Sequence, residues 1–108
     1  MWIATNKGFI SVVQLRQNHS MVLVRARRLK DLKFLKSYIP KMKVKRDDKA
    51  DYRFRAIVKK VDFANALFEI ALSIDYDNFK NSISDDRHHA YASVWLAAQE
   101  LEKPEDRS

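Results

Sequence analysis

Histidine and carboxylate side chains are the first candidates for chemistry, and their spacing builds no complete metal site. His88 and His89 are adjacent, and adjacent residues on a helix project about 100° apart, so the two imidazoles cannot bind one ion from that helix. One carboxylate from Asp85 or Asp86 would add a second ligand, whereas a structural zinc site needs four. We therefore expect no metal ion and no cofactor.

Nucleophilic catalysis has no recognisable motif either. No serine lies in a glycine-flanked elbow, and the single glycine, Gly8, excludes a glycine-rich phosphate loop. The chain has no cysteine, which excludes thiolate nucleophiles, disulfides and thiolate metal sites. Asp75, Asp77, Asp85 and Asp86 cluster in the sequence and leave open a small enzyme with a carboxylate site. Because aspartates at such positions more commonly cap helices, the leading expectation is a protein without catalytic activity.

Basic side chains give the strongest chemical signal. The formal net charge is +7, and residues 25–60 alone hold fifteen Lys and Arg against four Asp. This asymmetry indicates an anionic partner for the middle of the chain, either nucleic acid or the acidic surface of a protein or nucleoprotein complex. The alternative is a solvated surface that keeps a small protein in solution.

Arginines recur at strand spacing on both sides of this segment. If the alternating apolar residues of 22–26 and 52–58, Tyr52 among them, face a layer of helices, the arginines between them share the opposite face of a sheet. A guanidinium can donate two parallel hydrogen bonds to a phosphate or carboxylate, so such a face suits an anion. The predicted binding residues are Arg25, Arg27, Arg53 and Arg55, extended by Lys41, Lys43, Lys45 and Arg46 of the adjoining loop.

The elements that position these residues follow from hydrophobic periodicity. Strands are predicted over residues 2–5, 9–15, 21–27 and 52–59, and helices over 28–38, 61–73 and from Ser84 to about residue 101. Lys41 to Ala50 reads as a charged, mobile loop. The order β-β-β-α-β-α-α predicts an α+β fold, with a small antiparallel sheet of about four strands covered on one face by helices. We expect one domain over residues 1–102 and a polar tail over 103–108.

The last predicted helix carries an apolar stripe. Tyr91, Val94, Trp95, Ala98 and Leu101 recur at helical spacing. Such a stripe is typical of a face that packs on the core, so Trp95 is predicted to be a buried anchor.

No segment of the sequence suggests a membrane. The first residues lack the pattern of a signal peptide, and no stretch approaches the roughly 20 apolar residues of a membrane span. We therefore expect a cytoplasmic protein without a membrane partner, and the sequence indicates no oligomeric state.

Five phrases stand in a distinctive order: WIATNKGFISVV at residues 2–13, VRAR at 24–27, DYRFR at 51–55, IDYDNFK at 74–80 and YASVW at 91–95. Together they resemble a family of small uncharacterised proteins from bacteria and their phages. The resemblance covers most of the chain. It implies kinship and carries no activity.

Three functions are therefore open at this point. The leading hypothesis is a non-enzymatic basic protein that contacts nucleic acid or a nucleoprotein complex through an arginine-rich sheet face. The second is a phage-encoded interaction protein that inhibits a host or defence complex, in the manner of an anti-CRISPR protein. The third is a small enzyme with a carboxylate site.

Overall fold

Five antiparallel strands form the first part of the chain in the computed structural model, which describes residues 1–107. The strands are β1 (Trp2–Ala4), β2 (Phe9–Leu15), β3 (Asn18–Ala26), β4 (Lys45–Arg46) and β5 (Phe54–Lys59). The helices are α1 (Leu29–Lys33), continued by a 3₁₀ turn over Phe34–Ser37, and α2 (Lys60–Leu72). These elements belong to one compact unit, Met1–Asp75, and a second unit begins at Tyr76.

The sheet has the strand order β1-β2-β3-β5-β4 and confirms the predicted α+β class. The prediction of four strands was wrong, because the charged segment expected to be a loop contains β4. Met42 is only 2% exposed and Val44 packs against the core, so every second side chain of this segment points inward. The lysines between them carry the charge that made the segment read as a loop.

The hydrophobic core lies on one face of this sheet, beneath α1, its 3₁₀ continuation and α2. Val22, Val24 and Ala26 are buried on β3, as their alternation predicts. Leu32 and Leu35 meet them from above, and both are fully buried. The rest of the core comprises Ile10, Val12, Ile39, Met42, Ala56, Val58, Phe63 and Ala66.

Gly8 allows the β1–β2 connection to lie directly against α1. A Cβ at this position would stand 2.4 Å from the carbonyl oxygen of Asp31, which is closer than any side chain tolerates. The contact lets the backbone N–H of Phe9 donate a 2.9 Å hydrogen bond to Oδ2 of the buried Asp31 carboxylate. Arg28 donates to Oδ1 of the same carboxylate at 3.2 Å. One aspartate therefore ties α1 to the start of β2.

The second unit is helical, with α3 (Phe79–Ser82), α4 (Asp85–Ala98) and 3₁₀ turns over Gln99–Leu101 and Pro104–Arg107. Ser84 occupies the N-cap position of α4 in extended conformation, as predicted, although its hydroxyl bonds Asp86 rather than a backbone N–H. The predicted polar tail over 103–108 thus contains a 3₁₀ turn, and its last residue lies outside the described part of the chain. In residues 1–107, no helix combines the length and apolar character needed to cross a membrane.

The prediction that Trp95 is a core residue was wrong, since its side chain is 54% exposed. In α4 only Arg87 and Tyr91 are buried, and the Tyr91 ring stacks on Phe79 with centroids 5.9 Å apart. The Lys80 ammonium lies 4.5 Å from the centre of the Trp95 ring. Helical spacing shows which residues share a face, but it does not show whether another element covers that face.

Candidate functional site

A row of three cations crosses the sheet on the face opposite α1 and α2, which we call the open face. Arg25 of β3 lies directly opposite Arg55 of β5, and Arg55 lies directly opposite Lys45 of β4. Directly opposed residues in antiparallel strands project to the same side, with Cβ atoms about 5 Å apart. Arg25, Arg55 and Lys45 therefore form one continuous cation row, and the alternation of Val24 and Ala56 toward the core fixes its direction.

No carboxylate of residues 1–107 neutralises the cation row within ion-pair distance. The nearest acidic residues in sequence are engaged elsewhere. Asp47 accepts from the backbone of Lys49, Asp48 accepts from Arg46, and Asp51 accepts from the backbone of Tyr52. Like charges directly opposite each other destabilise a sheet, so the row raises the free energy of the folded chain.

The two arginines of the row use only part of their hydrogen-bonding capacity within the chain. Arg25 donates through Nη2 to the hydroxyl of Ser11 at 2.8 Å. The Nε atoms of Arg25 and Arg55 are buried without an acceptor. A buried donor without an acceptor costs about 1–3 kcal/mol, which adds to the electrostatic cost of the row.

Tyr52 holds two arginines on the open face and does not face the helices, contrary to its predicted direction. The guanidinium of Arg25 lies 4.8 Å from the centre of the Tyr52 ring, and that of Arg27 lies 4.4 Å from it. Tyr52 precedes β5, which begins at Phe54, so the alternation of the strand does not govern its side chain. The ring is buried outside the hydrophobic core and binds both cations through its π face.

The remaining predicted residues are distributed around this row. Arg53 is exposed immediately before β5, and Lys41 and Lys43 are exposed on the segment that leads into β4. Arg46 pairs with Phe54 across the strands and therefore lies on the opposite face from the cation row. Its guanidinium is 5.8 Å from the Phe54 ring centre and 2.6 Å from the carboxylate of Asp48. Of the predicted binding residues, Arg46 is therefore the one that lies on the other face of the sheet.

An apolar row runs beside the cation row on the open face. Val13, Leu23 and Ile57 lie opposite one another on three adjacent strands. Val13 is 39% exposed and Ile57 is 51% exposed, so water reaches this part of the sheet. Ile57 also borders a cleft of about 570 Å³, whose other walls include residues 38–42 and the α2 residues Asp62 and Asn65 on the helix side of the sheet. The open face therefore combines cations with accessible apolar surface.

Trp2 is an exposed aromatic residue of this face that was not among the predicted binding residues. It lies directly opposite Ser11, which lies directly opposite Arg25, so Trp2 continues the cation row on β1. Its side chain is 76% exposed, although a tryptophan on a sheet normally buries much of its surface. The signal available in the sequence was a tryptophan in a short strand, whose register with β2 was not evident.

The histidine and aspartate candidates form no enclosed site. The Nε2 atom of His88 lies 3.1 Å from the carbonyl oxygen of Ile83 and 3.9 Å from Oδ1 of Asp85. The Asp85 side chain is fully exposed. Asp75 and Asp77 are exposed as well. Among residues 1–107 no group of three or more His, Asp or Glu side chains is placed to hold a metal ion.

Comparison with known proteins gives no indication of function, which is therefore inferred from the geometry of the site. No family model, no curated protein and no solved structure matches this chain.

Proposed function

We propose that this protein binds nucleic acid through its open face, with the cation row and Arg27 contacting phosphates. The single observation that carries the proposal is the row itself: three cations are opposed across three strands, and within residues 1–107 no carboxylate lies within ion-pair distance of them. Phosphates supply the missing counter-charges at regular intervals along a chain, and guanidinium groups bind them with paired hydrogen bonds.

The row has dimensions that suit a polyanion. Adjacent strands lie about 4.8 Å apart, so the backbone positions of Arg25 and Lys45 are separated by about 10 Å. A single small anion would meet only one or two of these cations. A nucleic-acid backbone laid across the strands brings successive phosphates within reach of all three.

The test is the affinity of the variant Arg55→Met for labelled nucleic acid. Methionine keeps the apolar stem of the side chain and removes its charge. We expect binding to weaken about five- to tenfold at low salt, the loss of one charge-assisted phosphate contact. The matched control is Arg16→Met, because Arg16 is an exposed arginine at the far end of the β2–β3 hairpin. Equal affinities of wild type and Arg55→Met would contradict the proposal.

A second candidate function is protein binding, and a different surface favours it. Val61, Phe68 and Leu72 recur on one stripe of α2 and are 61%, 66% and 71% exposed. Exposed apolar stripes of this kind mark protein contacts. Inhibition of a host or defence complex by a phage-encoded protein belongs to this candidate. It replaces the first proposal if the wild-type protein binds neither single-stranded nor duplex nucleic acid at low salt.

A further inference from the structure

We infer that the nucleic acid is single-stranded and that Trp2 is the platform on which one of its bases stacks. The inference rests on the proposed function and concerns the other end of the same row. Trp2, Ser11, Arg25, Arg55 and Lys45 are connected through direct cross-strand register. An exposed aromatic ring thus lies two strands from the nearest cation, about 10 Å away.

The small size of Ser11 makes this arrangement accessible. Ser11 is 1% exposed and lies directly opposite both Trp2 and Arg25, so the position between these two larger side chains holds a small residue. The Arg25 guanidinium is anchored to the Ser11 hydroxyl at 2.8 Å. The ring is therefore available at one end of the row, and the anchored guanidinium of Arg25 is the first cation beyond it.

Base stacking on an aromatic side chain requires an unstacked base. In a duplex each base is already stacked and paired, so its faces do not reach a ring on a protein surface. A single strand offers both bases and phosphates, and proteins that bind single strands combine aromatic platforms with positively charged surfaces. The combination of Trp2 with the cation row accordingly selects single strands over duplexes.

Tyr52 does not serve as a second platform. Its ring is buried and is contacted by the guanidiniums of Arg25 and Arg27. Its role is to hold these two cations on the open face. Trp2, which is 76% exposed, is therefore the ring that we propose for stacking.

The experiment measures binding of labelled oligo(dT), oligo(U) and a mixed-sequence duplex to wild type, Trp2→Ala and Trp2→Phe. We expect Trp2→Ala to weaken single-strand binding about five- to one-hundred-fold and to leave duplex binding unchanged. Trp2→Phe retains an aromatic face and should restore affinity to within about threefold of wild type. The matched control is Trp95→Ala, which removes the other exposed tryptophan and should bind as wild type does. Comparison of oligo(dT) with oligo(U) distinguishes DNA from RNA as the preferred strand.

A spectroscopic measurement separates stacking from charge. In Trp95→Phe the only remaining tryptophan is Trp2, and its fluorescence should be quenched at saturating oligonucleotide. In Trp2→Phe the remaining Trp95 fluorescence should not change. Unquenched Trp2 fluorescence, or equal losses of single-strand and duplex affinity in Trp2→Ala, would overturn the inference. If Trp2→Ala binds single strands as wild type does while Arg55→Met binds weakly, the inference fails and the proposed function stands. If wild type binds no strand at all, both fail.

Discussion

Arg55 is a single residue at which the proposed binding surface conflicts with stability. Its charge lies between those of Arg25 and Lys45, and in the described part of the chain its Nε has no acceptor and its guanidinium has no ion-pair partner. Residues that are unfavourable in the free protein are typical of surfaces that become satisfied only in a complex. If this interpretation holds, substitution of Arg55 should also affect the free energy of unfolding of the free protein.

We expect Arg55→Met to leave the free energy of unfolding unchanged or to raise it by up to about 1 kcal/mol. The substitution removes a like-charge contact and a buried unpaired donor while keeping most of the packed stem. Urea denaturation of wild type, Arg55→Met and the control Arg16→Met measures the difference. A loss of more than about 1 kcal/mol would mean that Arg55 contributes favourably to the fold, and the row would then need no anion to explain it.

At the scale of elements, the sequence predicted the strands better than the surfaces they expose. β2 was evident from its β-branched residues, β3 from a continuous apolar run, and β5 from the alternation of apolar and charged residues. The two-residue period of strands placed Arg25 and Arg55 on the face opposite the helices, where the structure has them. β4 was missed because it contains only Lys45 and Arg46 and follows a run of lysines. The alternation of Met42 and Val44 with those lysines was the signal that could have revealed it.

The positions of Tyr52 and Trp2 were not predicted, for a physical reason. Tyr52 continues the alternation of β5 in the sequence, but it lies before the strand and turns to the arginines. Trp2 was not selected because its place beside the cation row depends on pairing between β1 and β2, which are distant from β5 along the chain. Cross-strand register is a tertiary property that local periodicity does not contain.

Leu35 is buried and Trp95 is largely exposed, so their substitutions should have different effects on stability. We expect Leu35→Ala to destabilise the fold by about 2–5 kcal/mol, because Leu35 is fully buried in the core and its loss leaves a cavity. Trp95→Ala should change stability by less than about 1 kcal/mol, since the ring is largely exposed and its removal empties no core site. Denaturant midpoints of the two variants check both values. A large loss in Trp95→Ala would show that this ring supports the fold and would disqualify it as the binding control.

Across the whole molecule, the positive charge is concentrated in the first of the two units. The unit Met1–Asp75 holds seventeen Lys and Arg against seven Asp and Glu, whereas the rest of the chain holds four against seven. The cation row, Arg27 and the lysines before β4 all belong to the basic unit. Electrostatic attraction of a polyanion is therefore concentrated in the unit that carries the sheet.

The most direct test of the central claim is the salt dependence of single-strand binding. Each phosphate neutralised by the protein releases condensed counterions, so the logarithm of the affinity falls linearly with the logarithm of salt concentration, by about 0.7 per contact for single strands. Contacts from the three cations of the row and Arg27 predict a slope of about −2 to −3 for wild type. Arg55→Met should reduce its magnitude by about 0.7 to 1, while Arg16→Met should leave it unchanged. A slope near zero in wild type, or the same slope in wild type and Arg55→Met, would contradict the claim that this row binds phosphates.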